Sequence, residues 1–210
     1  MTVLWIGSVP VRVHWTLGAP LVVLLAAIQV RLGSAALLQA AALIAGLLGS
    51  VLLHELGHVV AAAHYGIRTR AILLLPIGGA AQLEHRWVPA RVDAIVAAAG
   101  PLVSLALGGL LLSIGSYMQA LDVMRLGLMN IGLGLLNLAP VFPMDGGRVL
   151  RALLVQRVGL QRGTVIALLV GLVLVIAFAA VGAWQWQPEI LLLSLFLLAG
   201  QRREWAAQAA

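Results

Sequence analysis

Residues 52–62 read LLHELGHVVAA, and they place His54, Glu55 and His58 inside an apolar run that extends from 36 to 64. The hydrocarbon core of a bilayer takes roughly 20 apolar residues of helix, so a run of this length is long enough to cross it. An ionisable side chain at such depth is costly unless paired, and three on one span mark a functional feature of a membrane helix.

The rest of the chain agrees with a bilayer setting. Of its 210 residues, 62% are hydrophobic and 10% are charged, with a mean hydropathy of +1.07. Soluble domains carry about 25% charged residues. All thirteen basic residues are arginine, giving a net charge of +6. No basic cluster is interleaved with aromatics, which excludes a nucleic-acid partner. Cysteine is absent, so disulfides, thiolate metal sites and thiol redox chemistry are excluded. The first residues lack the charged, apolar and small-residue blocks of a cleaved signal peptide.

Outward from the opening stretch, apolar segments recur at 15–31, 36–64, 94–118, 123–139, 164–185 and 189–203. The expected fold is an all-α polytopic membrane protein of about six transmembrane helices, with short membrane-associated strands. The strands are expected at 9–16, where residues alternate, and at 70–85, on both sides of Pro76 and the pair Gly78-Gly79. Residues 137–147 are broken by Pro140 and Pro143, and a short amphipathic helix with Arg148, Arg151 and Arg157 is expected to follow. Six spans would put eleven arginines on the side of the termini and only Arg31 and Arg125 on the other. Under the positive-inside rule both termini are then cytoplasmic, and His54 and His58 lie nearer the cytoplasmic face. Small residues repeat every four positions at Ala42, Gly46 and Ser50, and at Gly100, Ser104 and Gly108. Such stripes let membrane helices pack closely.

On a helix, residues 54 and 58 are one turn and about 40° apart, so both imidazoles reach one ion. Glu55 is about 60° from His58, within range of a water beside that ion. This is a zinc pattern in which the carboxylate serves as general base. Zinc usually takes three protein ligands in catalytic sites. Glu84, Asp93, Asp122, Glu189, Glu204, His14, His64 and His85 fall at expected span ends or in loops. Asp145 instead lies in the broken segment, where irregular backbone at membrane depth lines a cavity or is buried. It also suits the N-cap of the helix at 146–157, and the two roles are compatible. Asn137 suits either a donor to a developing oxyanion or a helix cap.

HELGH at 54–58, AAGP at 98–101 and NLAPVFPMDGGRVLRALL at 137–154 together resemble the site-2 protease family of intramembrane zinc metalloproteases. The likeness is to its compact subgroup of bacterial sporulation and archaeal members. The resemblance implies one zinc ion held by His54, His58 and Asp145, with Glu55 as general base and Asn137 near the reacting carbonyl. It also implies substrates that are single-span membrane proteins, cut within the membrane in regulated intramembrane proteolysis at a prokaryotic plasma membrane. Residues 1–210 read as a single intramembrane metalloprotease domain, with no PDZ or cystathionine β-synthase domain. Other partners, a regulatory membrane protein or a second copy of the chain, stay open. Gly78 and Gly79 are expected to let an extended substrate backbone approach a strand edge, although a plain turn between two strands fits the same residues. The competing reading is a zinc-binding membrane transporter or a non-proteolytic scaffold, in which Glu55 has no evident task.

Overall fold

The structure, a computed structural model, describes residues 2–75, 78–84 and 88–209. Pro76, His85 and Arg86 lie outside the described residues. The chain is mostly helical, with a small sheet. The elements run β1 (Thr2–Ile6), β2 (Val9–Val13), α1 (Trp15–His64), β3 (Thr69–Leu75), β4 (Gly78–Leu83), α2 (Ala90–Tyr117), α3 (Leu121–Asn137), α4 (Asp145–Val158), α5 (Leu160–Trp184) and α6 (Pro188–Ala209). They fall into two compact units. By length and composition, α1, α2 and α5 are able to cross a bilayer, and the chain is an integral membrane protein.

The first unit holds the sheet, α1 and Ala99–Gly134. The sheet order is β1-β2-β3-β4. β1 and β2 form a hairpin that turns through Gly7 at φ 58°. β2 and β3 are parallel, with Val11 opposite Ile72. A parallel pair needs a long crossover, and α1 supplies it. Val11, Leu17, Ile72 and Leu74 bury one face of the sheet against α1. β1 was not expected from the sequence, and the expected strand at 9–16 is shorter. It stops at Val13, because His14 caps α1 and its Nδ1 accepts from the Thr16 N–H at 3.4 Å. β3 and β4 pair antiparallel from Thr69↔Leu83 to Leu75↔Gly78, and β4 is the edge strand.

α1 is interrupted at Gly33, whose φ of 83° and ψ of −179° are not helical. The two arms correspond to the separate runs at 15–31 and 36–64. The small-residue stripes do meet neighbours. A methyl group on Gly46 would lie 2.8 Å from a Leu126 side-chain carbon, and one on Gly108 would lie 2.9 Å from the Gly127 carbonyl oxygen. Asn130, fully buried on α3, donates from Nδ2 to Ser50 Oγ at 2.9 Å.

The second unit holds the start of α2 and the chain from Leu135 onward. α4 turns into α5 at Gly159, with φ 85°. Val141 packs with Val175 and Leu197, and Phe142 packs with Ala167 and Leu168. Asp93 receives Arg148 at 2.8 Å and Arg151 at 3.0 Å, and Arg151 also donates to Glu204 at 2.7 Å. Ionic contacts thus tie α2, α4 and α6 together. α6 extends past the expected limit of 203 to Ala209.

Candidate metal centre

The second arm of α1 carries HELGH, and helical periodicity puts His54 and His58 on one face. Their Nε2 atoms are 3.2 Å apart, and the rings are edge-on with centroids at 4.9 Å. Two imidazole nitrogens on one tetrahedral zinc, each at 2.0–2.1 Å, would be separated by about 3.3 Å. The pair therefore fits a zinc ion without rearrangement. His54, Glu55 and His58 are all buried, at 3%, 5% and 4% exposure. Burial at membrane depth disfavours three unliganded polar groups and favours their use on an ion.

Two residues of α2 shape the back of this pair. A methyl group on Gly100 would overlap His58 Nε2 and lie 2.8 Å from His54 Nε2. Only glycine admits both rings there. One turn on, Ser104 Oγ is 2.9 Å from His54 Nδ1. The approach of α1 to α2 is equally close at Gly57, where an added methyl would lie 2.9 Å from the Ala99 carbonyl oxygen.

Glu55 points to the sheet. Its Oε2 accepts from the main-chain N–H of Ala81 on β4 at 2.8 Å. The backbone of β4 lies directly against the carboxylate, since a methyl on Gly79 would be 2.5 Å from Glu55 Cγ. Gly78 begins β4 with φ 133° and has open space around it. His54, Glu55, His58 and Gly79 are thus gathered in the first unit. His64 ends α1, exposed, with its ring edge-on to Tyr65.

Asn137 and Asp145 belong to the second unit. Asn137 is the last residue of α3. Asp145 is the first residue of α4, following an N-cap at Met144. It is therefore a first-turn residue rather than the N-cap itself, where its charge suits the helix dipole. Arg148 Nη1 is 3.9 Å from its Oδ1. Gly146 and Gly147 are helical. A side chain at Gly146 would strike the Leu138 carbonyl, and one at Gly147 would lie 2.8 Å from the Val141 carbonyl carbon. Glycine is needed here for close approach of the 138–142 backbone.

The sequence marks Gly100 and Ser104 only as packing residues, and nothing in it announces the Ala81 N–H. The signal available was the repeat of small residues at 100, 104 and 108 facing a helix that carries metal-binding side chains.

Comparison with known proteins bears on these residues. The family model described as peptidase family M50 matches residues 42–125 and 121–178. A zinc metalloprotease of Methanocaldococcus jannaschii is 39% identical over 160 residues, which is 74% of this chain and 47% of that protein. The stage IV sporulation protein FB of Bacillus subtilis is 31% identical over 115 residues, 53% of this chain and 40% of that protein. This chain thus spans about half the length of the curated relatives it matches. Among solved structures, the site-2 protease from Methanocaldococcus jannaschii matches with a TM-score of 0.72 at 33% identity, covering 97% of this chain and 94% of that one.

Proposed function

This chain belongs to peptidase family M50, the site-2 protease family, and on that premise we propose that it is a zinc-dependent endopeptidase that cleaves the membrane-spanning segments of single-span proteins. The observation that carries the reading is the buried His54–His58 pair, with Nε2 atoms 3.2 Å apart and Glu55 beside them on one apolar helix.

His54, His58 and Asp145 are the proposed zinc ligands. Zinc, when bound, supplies Lewis acidity that acidifies water and polarises a carbonyl. Glu55 accepts the proton of the attacking water and returns it to the leaving amide nitrogen. Asn137 donates from its side-chain amide to the oxygen that gains charge. A substrate helix hides its scissile bond within its own hydrogen bonds, so it is cut only once unwound. The outer edge of β4 suits an unwound segment, which pairs by main-chain hydrogen bonds with the groups there that Glu55 does not engage. Gly78 and Gly79 leave that edge free of bulky side chains, and the contact between β4 and Glu55 sets a paired peptide next to the base. Water exclusion and low dielectric around the site strengthen each of these interactions.

We place the site in a prokaryotic plasma membrane with six crossings: the two arms of α1, then α2, α3, α5 and α6. The arginine bias sets both ends of the sequence in the cytoplasm. Tyr117, Trp184 and Trp186, at 92%, 86% and 91% exposure, lie at the α2–α3 and α5–α6 turns, where an outer interface would favour aromatic side chains.

The test is co-expression with candidate single-span proteins, comparing the native chain with Glu55→Gln. A cleaved product with the native chain alone is expected. Equal product from both would remove Glu55 from the chemistry and overturn the reading.

A further inference from the structure

We propose that Ser104 is a positioning residue of the metal centre, fixing the tautomer and ring angle of His54 through the 2.9 Å contact between its Oγ and His54 Nδ1. The inference rests on the reading of His54 and His58 as zinc ligands. An imidazole binds a metal through the nitrogen that carries no proton. The Nε2 of His54 faces the Nε2 of His58, so the proton belongs on Nδ1, where it needs an acceptor. Ser104 Oγ is that acceptor. The serine is 1% exposed and His54 is 3% exposed, so water does not readily take its place. Asn130 and Ser50, also buried, bond to one another one turn away along α1 and are not aimed at this nitrogen.

α2 therefore does two things to the same pair of rings. Gly100 leaves the room in which both imidazoles lie against the helix, and Ser104, one turn later, holds the His54 ring at Nδ1. Outer partners of this kind typically alter metal affinity by 10–100-fold. Without the hydroxyl, His54 would turn about its Cβ–Cγ bond and populate the wrong tautomer in the apo protein, and zinc would have to reverse both.

The experiment measures zinc affinity of the purified full chain in nanodiscs, by competition with a chromophoric chelator. The native chain is compared with Ser104→Ala and Ser104→Thr, and thermal melting of the zinc-free forms is followed alongside. The expected result is a 10–100-fold weaker affinity in Ser104→Ala, recovery towards native affinity in Ser104→Thr, and a loss of zinc-free stability in Ser104→Ala smaller than the loss of zinc affinity. Cobalt(II) substitution adds a spectroscopic readout, and its visible bands should shift in Ser104→Ala and return in Ser104→Thr. Native-like affinity in Ser104→Ala overturns the proposal, as does a loss matched by equal loss of zinc-free stability, which would make Ser104 a packing residue. If the native chain itself takes up no zinc, the proposed function fails first; if it binds zinc and Ser104→Ala binds equally, only this inference fails.

Discussion

The main-chain N–H of Ala81 donates to the carboxylate of Glu55 at 2.8 Å, so the edge strand of the sheet holds the proposed base. Gly79 is part of the same contact. Sequence alone suggested that a side chain at 79 would block an incoming substrate, but the first atom it would meet is Glu55 Cγ, 2.5 Å from an added methyl. Gly79→Ala, and Gly79→Val more so, should therefore displace the carboxylate. Small displacements of catalytic groups cost up to ~100-fold, so cleavage of a reconstituted single-span substrate should fall at least ~10-fold with zinc content unchanged. Gln82→Ala should stay near the native rate. Native-rate cleavage by Gly79→Ala would show that the position of Glu55 against β4 is not needed for turnover.

Metal content separates the ligand assignments. The purified chain should hold close to one zinc, measured by elemental analysis against protein concentration. His54→Ala and Asp145→Ala should each reduce it sharply, because a site with three protein ligands loses most of its affinity with one gone. Glu55→Gln should keep zinc, since its amide oxygen can still accept from Ala81. If Asp145→Ala keeps its full zinc and its activity, the third ligand lies elsewhere.

Gly100 offers a sharper test of the close fit between α2 and the histidines. Alanine is favoured over glycine in a helix interior by about 1 kcal/mol, so Gly100→Ala should leave helix content intact. Yet its methyl would overlap His58 Nε2. Zinc content should collapse while circular dichroism stays native. A zinc-loaded, active Gly100→Ala would mean the rings do not lie against α2 when the site works.

How much of this was written in the sequence differs from residue to residue. His54, Glu55 and His58 were legible because helical spacing alone brings them onto one face, and because charge in an apolar span demands a reason. The break at Gly33 was legible as a gap between two apolar runs. The strand at Thr2–Ile6 was not, since its partner at 9–13 and the β3 strand beyond α1 decide whether five residues become a strand. Ser104 shows the limit most plainly. A repeat of small residues every four positions looks the same whether it faces leucine or a metal ligand, and only the packing of α2 on α1 distinguishes the two. Gly146 and Gly147 are helical residues pressed against the 138–142 segment, a contact that no local pattern announces.

Topology is tested by reporter fusions. Fusions near Ser34, Gln119 and Gln187 should report the outer side, and a fusion after Arg157 should report the cytoplasm. Each of the three outer positions follows a helical arm that begins on the arginine-rich side. A cytoplasmic signal near Gln119 would break the six-crossing arrangement and the placement of the site near the inner face.

Capture of substrate by β4 needs a test that leaves Glu55 untouched, which no change at Gly79 does. The substrate supplies one. In antiparallel pairing, the N–H groups of a strand point alternately to one neighbour and to the other. Ala81 directs its N–H away from β3 and towards Glu55, so a strand paired on that edge engages β4 through every second residue. N-methylation removes a single main-chain donor and leaves the side chain intact, as proline does in a chain. Methylating successive residues around the scissile bond of a synthetic substrate should therefore slow cleavage at alternate positions only. The slowed set should be the same on two substrates of different side-chain sequence, because the ladder reads backbone. N-methylation also loosens a substrate helix, an effect that would speed cleavage at every position alike, so alternation is the part that reports pairing. Rates that vary without alternation would remove the edge of β4, with Gly78 and Gly79, from substrate binding.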